Sequence, residues 1–335
     1  MADVYVDLGT ANTLVTVKSR GLLINEPTLI AYQEKKKGKK LVVGVGLEAQ
    51  RKIDLTPGAL SVYRPLQEGV IADSEISETL LRHYFEMLDL TGFFRRPKVI
   101  LSLPFGVTEV EKRALVKAGK SAGAKDVILV DEPMLAALGA GLKVEAPQGV
   151  MVLDLGGGTT EVAVIALSDI VSCQALRFGG HHFSLAVQTY LKRRRGLIVS
   201  DSVAEQVKIE LGTAAPKKQI RRMTVQGRHV DSGLSQSIEV SSEEIGGAMD
   251  DGLNQIIQLI HSTLEQTPPE LVSDLIETGL TLTGGGSLIQ NLDLRLSNEV
   301  RLPVHITKDP LLTIARGGQR LLEDEALLEK IRLED

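Results

Sequence analysis

Two short stretches of this chain have the residues to handle a polyphosphate. Asp7-Leu8-Gly9-Thr10-Ala11-Asn12-Thr13 lies between the strand-like runs Val4-Tyr5-Val6 and Leu14-Val15-Thr16-Val17. Asp154-Leu155-Gly156-Gly157-Gly158-Thr159-Thr160 lies between Val152-Leu153 and a run from Glu161 to Ile165. A tight turn rich in Gly and Thr points several backbone N–H groups one way, which makes an anion nest. Each turn opens with an Asp. Two carboxylates beside phosphates suit Mg2+, which keeps several waters and takes few protein oxygens. A third turn, Gly284-Gly285-Gly286, leads into Ser287 and Leu288 and offers a helix N-terminus to a phosphate or sugar. Taken singly, each turn also fits an ordinary hairpin, because Gly is the default turn residue.

The elements around these turns repeat. Asp7 and Asp154 stand 147 positions apart, and at that offset Leu8 meets Leu155, Gly9 meets Gly156 and Thr13 meets Thr160. Val15 and Val17 meet Val162 and Val164. Such self-similarity predicts two related lobes, each opening with an Asp-bearing hairpin. Between them, Lys98 to Leu103 reads as a buried strand. Thr108 with Glu111 forms a capping box for a helix that runs to about Ala122, where Gly123 ends it. Val127 to Val130 reads as a strand, and Pro133 sits at the start of the next helix. Thr278 to Thr283 reads as a strand that the third glycine turn converts to a helix from about Ser287 to Leu296. Strands alternating with helices predict α/β lobes. Residues 32–71, with Lys35-Lys36-Lys37-Gly38-Lys39-Lys40, and residues 181–246 look inserted. The second insertion holds a helix ending in Arg193-Arg194-Arg195-Gly196, another helix and a β-rich stretch near 220–240.

Composition narrows the function classes. A chain of 335 residues has room for about two domains. Apolar residues at 43% and charged residues at 24% are ordinary globular values and exclude wholesale disorder. A net charge of −5 argues against a general nucleic-acid binder, which needs a basic footprint. The one cysteine, Cys173, excludes an intrachain disulfide framework and a Cys-based zinc cluster, and reads as a small core residue. No run approaches the roughly 18 apolar residues of a membrane span. Met1-Ala2-Asp3 leads directly into a strand, so no signal peptide is expected and the protein reads as soluble and cytoplasmic.

The three turns together resemble the actin, sugar-kinase and heat-shock-ATPase superfamily, and within it the MreB family of bacterial actins. The resemblance runs from about Val4 to Leu322. It is carried by Asp7 to Leu14, Asn25-Glu26-Pro27, Arg64-Pro65-Leu66 and Gly69 to Asp73. It continues through Glu132-Pro133-Met134, Gly139 to Leu142, Asp154 to Ile165, Pro268 to Leu271, Leu282 to Leu292 and Ala315-Arg316-Gly317-Gly318.

This resemblance implies an α/β, actin-like ATPase fold: two related lobes, each with a central mixed sheet and flanking helices, and a nucleotide in the interlobe cleft. Lobe I would comprise a core (1–31, 72–137, 315–335) and a small subdomain (32–71). Lobe II would comprise a core (138–180, 247–314) and a small subdomain (181–246). ATP or ADP with Mg2+ is the implied cofactor. Asp7 and Asp154 would organise the Mg2+ through water. Gly9, Thr10, Ala11, Asn12, Thr13, Gly156, Gly157 and Gly158 would hold phosphates. Gly179, Gly180, Glu205, Lys208, Gly284, Gly285, Gly286, Ser287 and Leu288 would complete the nucleotide site. Glu132 would position or deprotonate the attacking water, with Thr159 as its partner.

The resemblance also implies slow hydrolysis of ATP and polymerisation into paired protofilaments at the inner face of the cytoplasmic membrane. Partners would be further copies of the chain and membrane proteins of the cell-shape and wall-synthesis machinery, with no nucleic acid.

The local residues admit plainer readings beside these. Glu132 at a helix N-terminus is favoured in its ionised form, and the same place suits a plain N-cap carboxylate. Ser202-Val203-Ala204-Glu205 reads as a capping box, and Glu205 with Lys208 as an i,i+3 ion pair. His181-His182 follows Gly179-Gly180 where MreB proteins typically carry an Asp, which bears on base or sugar contacts and on ATP against GTP. The tail from Leu321 to Asp335, acidic and amphipathic, is a second departure. Phe93-Phe94 beside Arg95-Arg96 suits a membrane interface, and both rings also suit packing within the lobe. A small-molecule kinase would need a base Asp and a sugar pocket, for which no motif is found. A chaperone-type ATPase would need a partner-binding domain after Arg316, where only a short segment follows. A specialised MreB paralogue or a positioning filament is the nearer alternative.

Overall fold

The computed structural model describes residues 3–34, 40–56, 60–67, 69–71, 73–92, 96–215 and 219–333. The chain forms two units. Unit 1 comprises Met1–Pro147, Ile165–Ile170 and Leu311–Asp335, and unit 2 comprises Gln148–Val164 and Val171–Pro310.

Unit 1 begins with β1 (Val4–Leu8), β2 (Asn12–Val17) and β3 (Gly21–Pro27), an antiparallel meander. A small sheet follows, from β4 (Ile30–Glu34), β5 (Lys40–Val45) and β6 (Ser61–Tyr63), with helix α1 (Gly46–Leu55) between the last two. The two-residue strands β7 (Leu66–Gln67) and β8 (Val70–Ile71) pair with each other. Helix α2 (Ser74–Met87), β9 (Lys98–Leu103), α3 (Glu109–Ser121), β10 (Asp126–Asp131) and α4 (Glu132–Gly139) complete the α/β alternation. The central sheet has the order β10-β9-β1-β2-β3, with β1, β9 and β10 parallel. All five residues of β1 are buried, as expected of a strand covered on both faces. Its core joins Val4, Val6 and Val15 to Leu80, Tyr84 and Phe85 of α2. The Thr108–Glu111 capping box forms as the spacing predicts.

Unit 2 repeats the plan with β11 (Val150–Leu155), β12 (Thr160–Ala166) and β13 (Asp169–Leu176). Then come α5 (Gly180–Arg195), β14 (Leu197–Ile198), α6 (Asp201–Leu211), β15 (Arg222–His229) and β16 (Ser235–Ser241). Helices α7 (Ser242–Glu265) and α8 (Pro269–Thr278), strand β17 (Leu280–Thr283), α9 (Leu292–Val300) and β18 (Val304–Ile306) follow. The sheet order is β13-β12-β11-β17-β18, with β11, β17 and β18 parallel. Read from β3, the unit 1 sheet has the matching order, so the 147-residue offset is a repeat of topology as well as of sequence. Strands β14, β15 and β16 form the second small sheet. Ile245, Met249, Leu253, Ile256 and Ile260 make the buried stripe of α7, at helical spacing.

Helices α10 (Thr313–Glu323) and α11 (Glu325–Ile331) return to unit 1. There α10 crosses α4 at backbone contact: a Cβ on Gly317 would lie 2.0 Å from the Leu135 carbonyl oxygen. Only glycine fits such an approach. Among the described residues, no helix is long and apolar enough to cross a membrane.

Two local expectations need correction. Gly285–Leu288 is a single 3-10 turn, and the helix proper begins at Leu292 after Asn291 at φ 60°. Consecutive glycines are poor helix formers, and the left-handed Asn291 separates the two pieces. Helix α6 is capped by Ser200, whose hydroxyl accepts from the Val203 N–H, so Ser202 is not its cap.

Candidate functional site

In unit 1 the β1–β2 register pairs Asp7 with Leu14 and Leu8 with Thr13, leaving Gly9 to Ala11 in the turn. The Gly9 N–H donates to the Asn12 carbonyl at 3.1 Å. Asp7 is buried at 8% exposure, while Ala11 is exposed and Gly9, Thr10 and Asn12 are half-buried. The Thr10 hydroxyl accepts from the Gly69 N–H at 3.1 Å. Thr13 is fully buried, and its hydroxyl lies 2.8 Å from that of Thr28, so it braces the turn from beneath.

Glu132 follows β10 and opens α4, with Pro133 in the first turn. The N-cap is Asp131, not Glu132, and Asp131 makes no side-chain capping bond. Burial pushes the Asp131 carboxyl up to about 6, against the smaller opposing pull of Lys112. A cavity of about 20 Å³ is lined by Leu8, Ser102, Glu111 and Glu132 among others. That is room for about one water beside Glu132.

In unit 2 the second turn has the same geometry as the first. The Gly156 N–H donates to the Thr159 carbonyl at 2.9 Å. The N-terminus of α5 is stitched to this turn: Gly180 N–H donates to the Gly156 carbonyl at 2.9 Å and His181 N–H to the Gly157 carbonyl at 2.8 Å. Gly158, Thr159, Gly179 and Gly180 are buried. Lys208 donates to the Gly180 carbonyl at 3.0 Å and to Glu205 at 2.8 Å, and Ser184 also donates to Glu205. The ion pair expected from its spacing therefore forms, and it anchors the first turn of α5.

Asp154 lies at the end of β11 at 3% exposure. Desolvation raises its carboxyl above the usual range, and a hydrogen bond from Thr283 opposes that rise. A Glu161 oxygen lies within 4.8 Å of an Asp154 oxygen. Two buried carboxylates at that spacing are a hard oxygen donor set, so the residues fit a divalent cation such as Mg2+. The third turn abuts Asp154. Gly284, at φ +76°, would place a Cβ 2.4 Å from the Leu155 carbonyl oxygen, so no other residue fits without displacement. Ser287 is fully buried and donates to the Gly284 carbonyl at 2.7 Å, whereas Leu288 is exposed.

Unit 2 thus brings together Asp154, Gly156 to Thr159, Gly179, Gly180, Lys208, Glu205 and Gly284. Unit 1 brings Asp7 together with Gly9 to Thr13. Three further residues carry no sequence signal of their own: Glu161, Ser184 and Thr283; the role of His182, marked in the sequence, is local. His182 accepts the Gly179 N–H on Nδ1 at 3.1 Å and stacks on Phe178 with ring centroids 4.9 Å apart. It does the work of the reciprocal side chain in a capping box. Phe93 and Phe94 lie outside the described residues.

A family model described as MreB/Mbl protein matches residues 1–330. Cell shape-determining protein MreB of Escherichia coli (strain K12) is 42% identical over 323 residues, covering 96% of this chain and 93% of that one. Cell shape-determining protein Mbl of Bacillus subtilis (strain 168) is 39% identical over 331 residues, covering 99% and 98%. Among solved structures, MreB 5 of Spiroplasma citri bound to AMPPNP superposes with a TM-score of 0.89 at 36% identity, over 95% of each chain. The actin-like fold implied by the three glycine turns is therefore the fold of this chain.

Proposed function

Because the chain belongs to the MreB/Mbl family, we propose that it is a cell-shape ATPase that polymerises into actin-like filaments at the inner face of the cytoplasmic membrane. It binds ATP with Mg2+, hydrolyses it slowly, and pairs its protofilaments. Its other partners are membrane proteins of the cell-shape and wall-synthesis machinery. The observation that carries this reading is the doubled glycine turn. Gly9 donates to Asn12 and Gly156 to Thr159 across related hairpins, each preceded by a buried Asp. The AMPPNP bound by the Spiroplasma citri relative supports an adenine nucleotide as ligand.

In this reading the backbone N–H groups of both turns hold phosphates, and Asp7 and Asp154 organise Mg2+. When bound, Mg2+ neutralises charge on the phosphates. Gly179 and Gly180 with Glu205 and Lys208 face the nucleoside, together with the Gly284 to Leu288 turn. Glu132 orients the attacking water, supported by the water-sized cavity at its side, and Thr159 assists. The four-part division given above remains our reading, with the β4–β6 and β14–β16 sheets as the cores of the two small subdomains.

Sedimentation and negative-stain microscopy in Mg-ATP and in EDTA test the proposal. Filaments should pellet above a threshold concentration in Mg-ATP alone. Monomers in both conditions, with hydrolysis intact, would point instead to a soluble ATPase or a small-molecule kinase.

A further inference from the structure

Strands β11 and β17 run in parallel with Asp154 opposite Thr283. Thr283 is fully buried, and its hydroxyl donates to Asp154 Oδ1 at 2.5 Å. The two carboxylate oxygens have different neighbours. A Cβ built on Gly284 would sit 2.9 Å from Oδ1, and one built on Gly156 would sit 3.7 Å from Oδ2. Oδ1 therefore faces the end of β17 and Oδ2 faces the second glycine turn. A carboxylate rotates readily about its last torsion, which is broad and two-fold. A hydrogen bond to one oxygen, charge-assisted when the acceptor is ionised, stops that rotation.

We infer that Thr283 is a positioning residue for Asp154: its hydroxyl holds Oδ1 and so commits Oδ2 to the glycine turn. The inference rests on the reading of Asp154 as a carboxylate that organises Mg2+. The repeat places a comparable hydroxyl residue in unit 1, at the position that matches Thr283. In unit 1, β1 pairs with β9 up to Val6 opposite Leu101, and the next residues on each strand are Asp7 and Ser102. A buried hydroxyl residue, Ser102, thus occupies the equivalent strand position. The partners differ, since Ser102 accepts from the Tyr5 hydroxyl at 3.2 Å.

The test is calorimetric titration of ATP into the full chain, with Mg2+ and with EDTA, for Thr283→Val, Thr283→Ser and Asp154→Asn. Loss of a group that orients a metal ligand costs about 10- to 100-fold in metal affinity. Thr283→Val should therefore weaken ATP binding about tenfold or more in Mg2+ and leave binding in EDTA unchanged. Thr283→Ser keeps the donor and should restore the Mg2+ effect. Wild-type Mg-ATP affinity in Thr283→Val, or an equal loss in Mg2+ and EDTA, would overturn the inference, the second outcome assigning Thr283 to packing alone. Thr283→Ala carries the same comparison if the valine variant does not fold. An Asp154→Asn chain with a normal Mg2+ effect would overturn the underlying reading of Asp154. A defective Asp154→Asn chain beside a normal Thr283→Val chain would overturn only the role of Thr283.

Discussion

Glu132 shows how position alone leaves a residue's role open. Directly after β10 it looks like a cap, yet the cap is Asp131, and Glu132 is the first residue inside α4 at 8% exposure. A carboxylate there is stabilised by the helix N-terminus, and Glu132 has room for about one water beside it. Glu132→Ala should retain ATP binding and lower the hydrolysis rate about 100-fold, the scale of a lost general base. Phosphate release under single-turnover conditions checks this, and an unchanged rate would remove Glu132 from catalysis. His182 is the converse case. The sequence marks it as a departure from the family pattern, and the structure gives it a local task, capping Gly179 while stacked on Phe178.

At the scale of elements, α4 and α10 cross at backbone contact. Gly317 meets the Leu135 carbonyl, and a Cβ on Gly139 would lie 1.7 Å from the Thr313 carbonyl oxygen. Backbone atoms on both sides cannot give way as a flexible side chain would. Gly317→Ala should cost about 3 kcal/mol, the upper end of ordinary overpacking, and lower the melting temperature by about 5 °C or more. Scanning calorimetry reads this directly, and an unchanged melting temperature would show that the helices can separate freely. In β1 and β11 the residues before the penultimate Asp are apolar, except that Tyr5 carries a hydroxyl, which donates to Ser102. Each strand is buried along its whole length, and the carboxylate appears only where the strand ends in a glycine turn.

At the scale of the whole molecule, the proposed filament has to meet a membrane. The net charge of −5 gives no general attraction to anionic lipid. The proposed membrane contact would therefore fall to a local sequence patch, Phe93-Phe94 with Arg95-Arg96, multiplied along the proposed filament. Phe93→Ser with Phe94→Ser should abolish co-sedimentation with phosphatidylglycerol-containing vesicles while leaving assembly in Mg-ATP intact. Vesicle binding retained by that variant would place the anchor elsewhere.

The hairpins and the Thr108–Glu111 cap are legible in the sequence because each depends on residues close together in the chain, and the repeat is legible because such local motifs recur at a fixed offset of 147 positions. A turn needs its Gly where the backbone bends, and a cap needs its hydroxyl and carboxylate three residues apart. Partners distant in sequence were not legible. Asp154 meets Thr283 only because β11 and β17 lie side by side in one register, and Glu205 meets Ser184 only because α5 packs on α6. The break between Gly285–Leu288 and α9 was also hidden, since Asn291 adopts its left-handed backbone in the folded setting. Local backbone preference is written in contiguous residues. Which buried polar group answers which is decided by strand register and helix packing, and these exist only once the chain has folded.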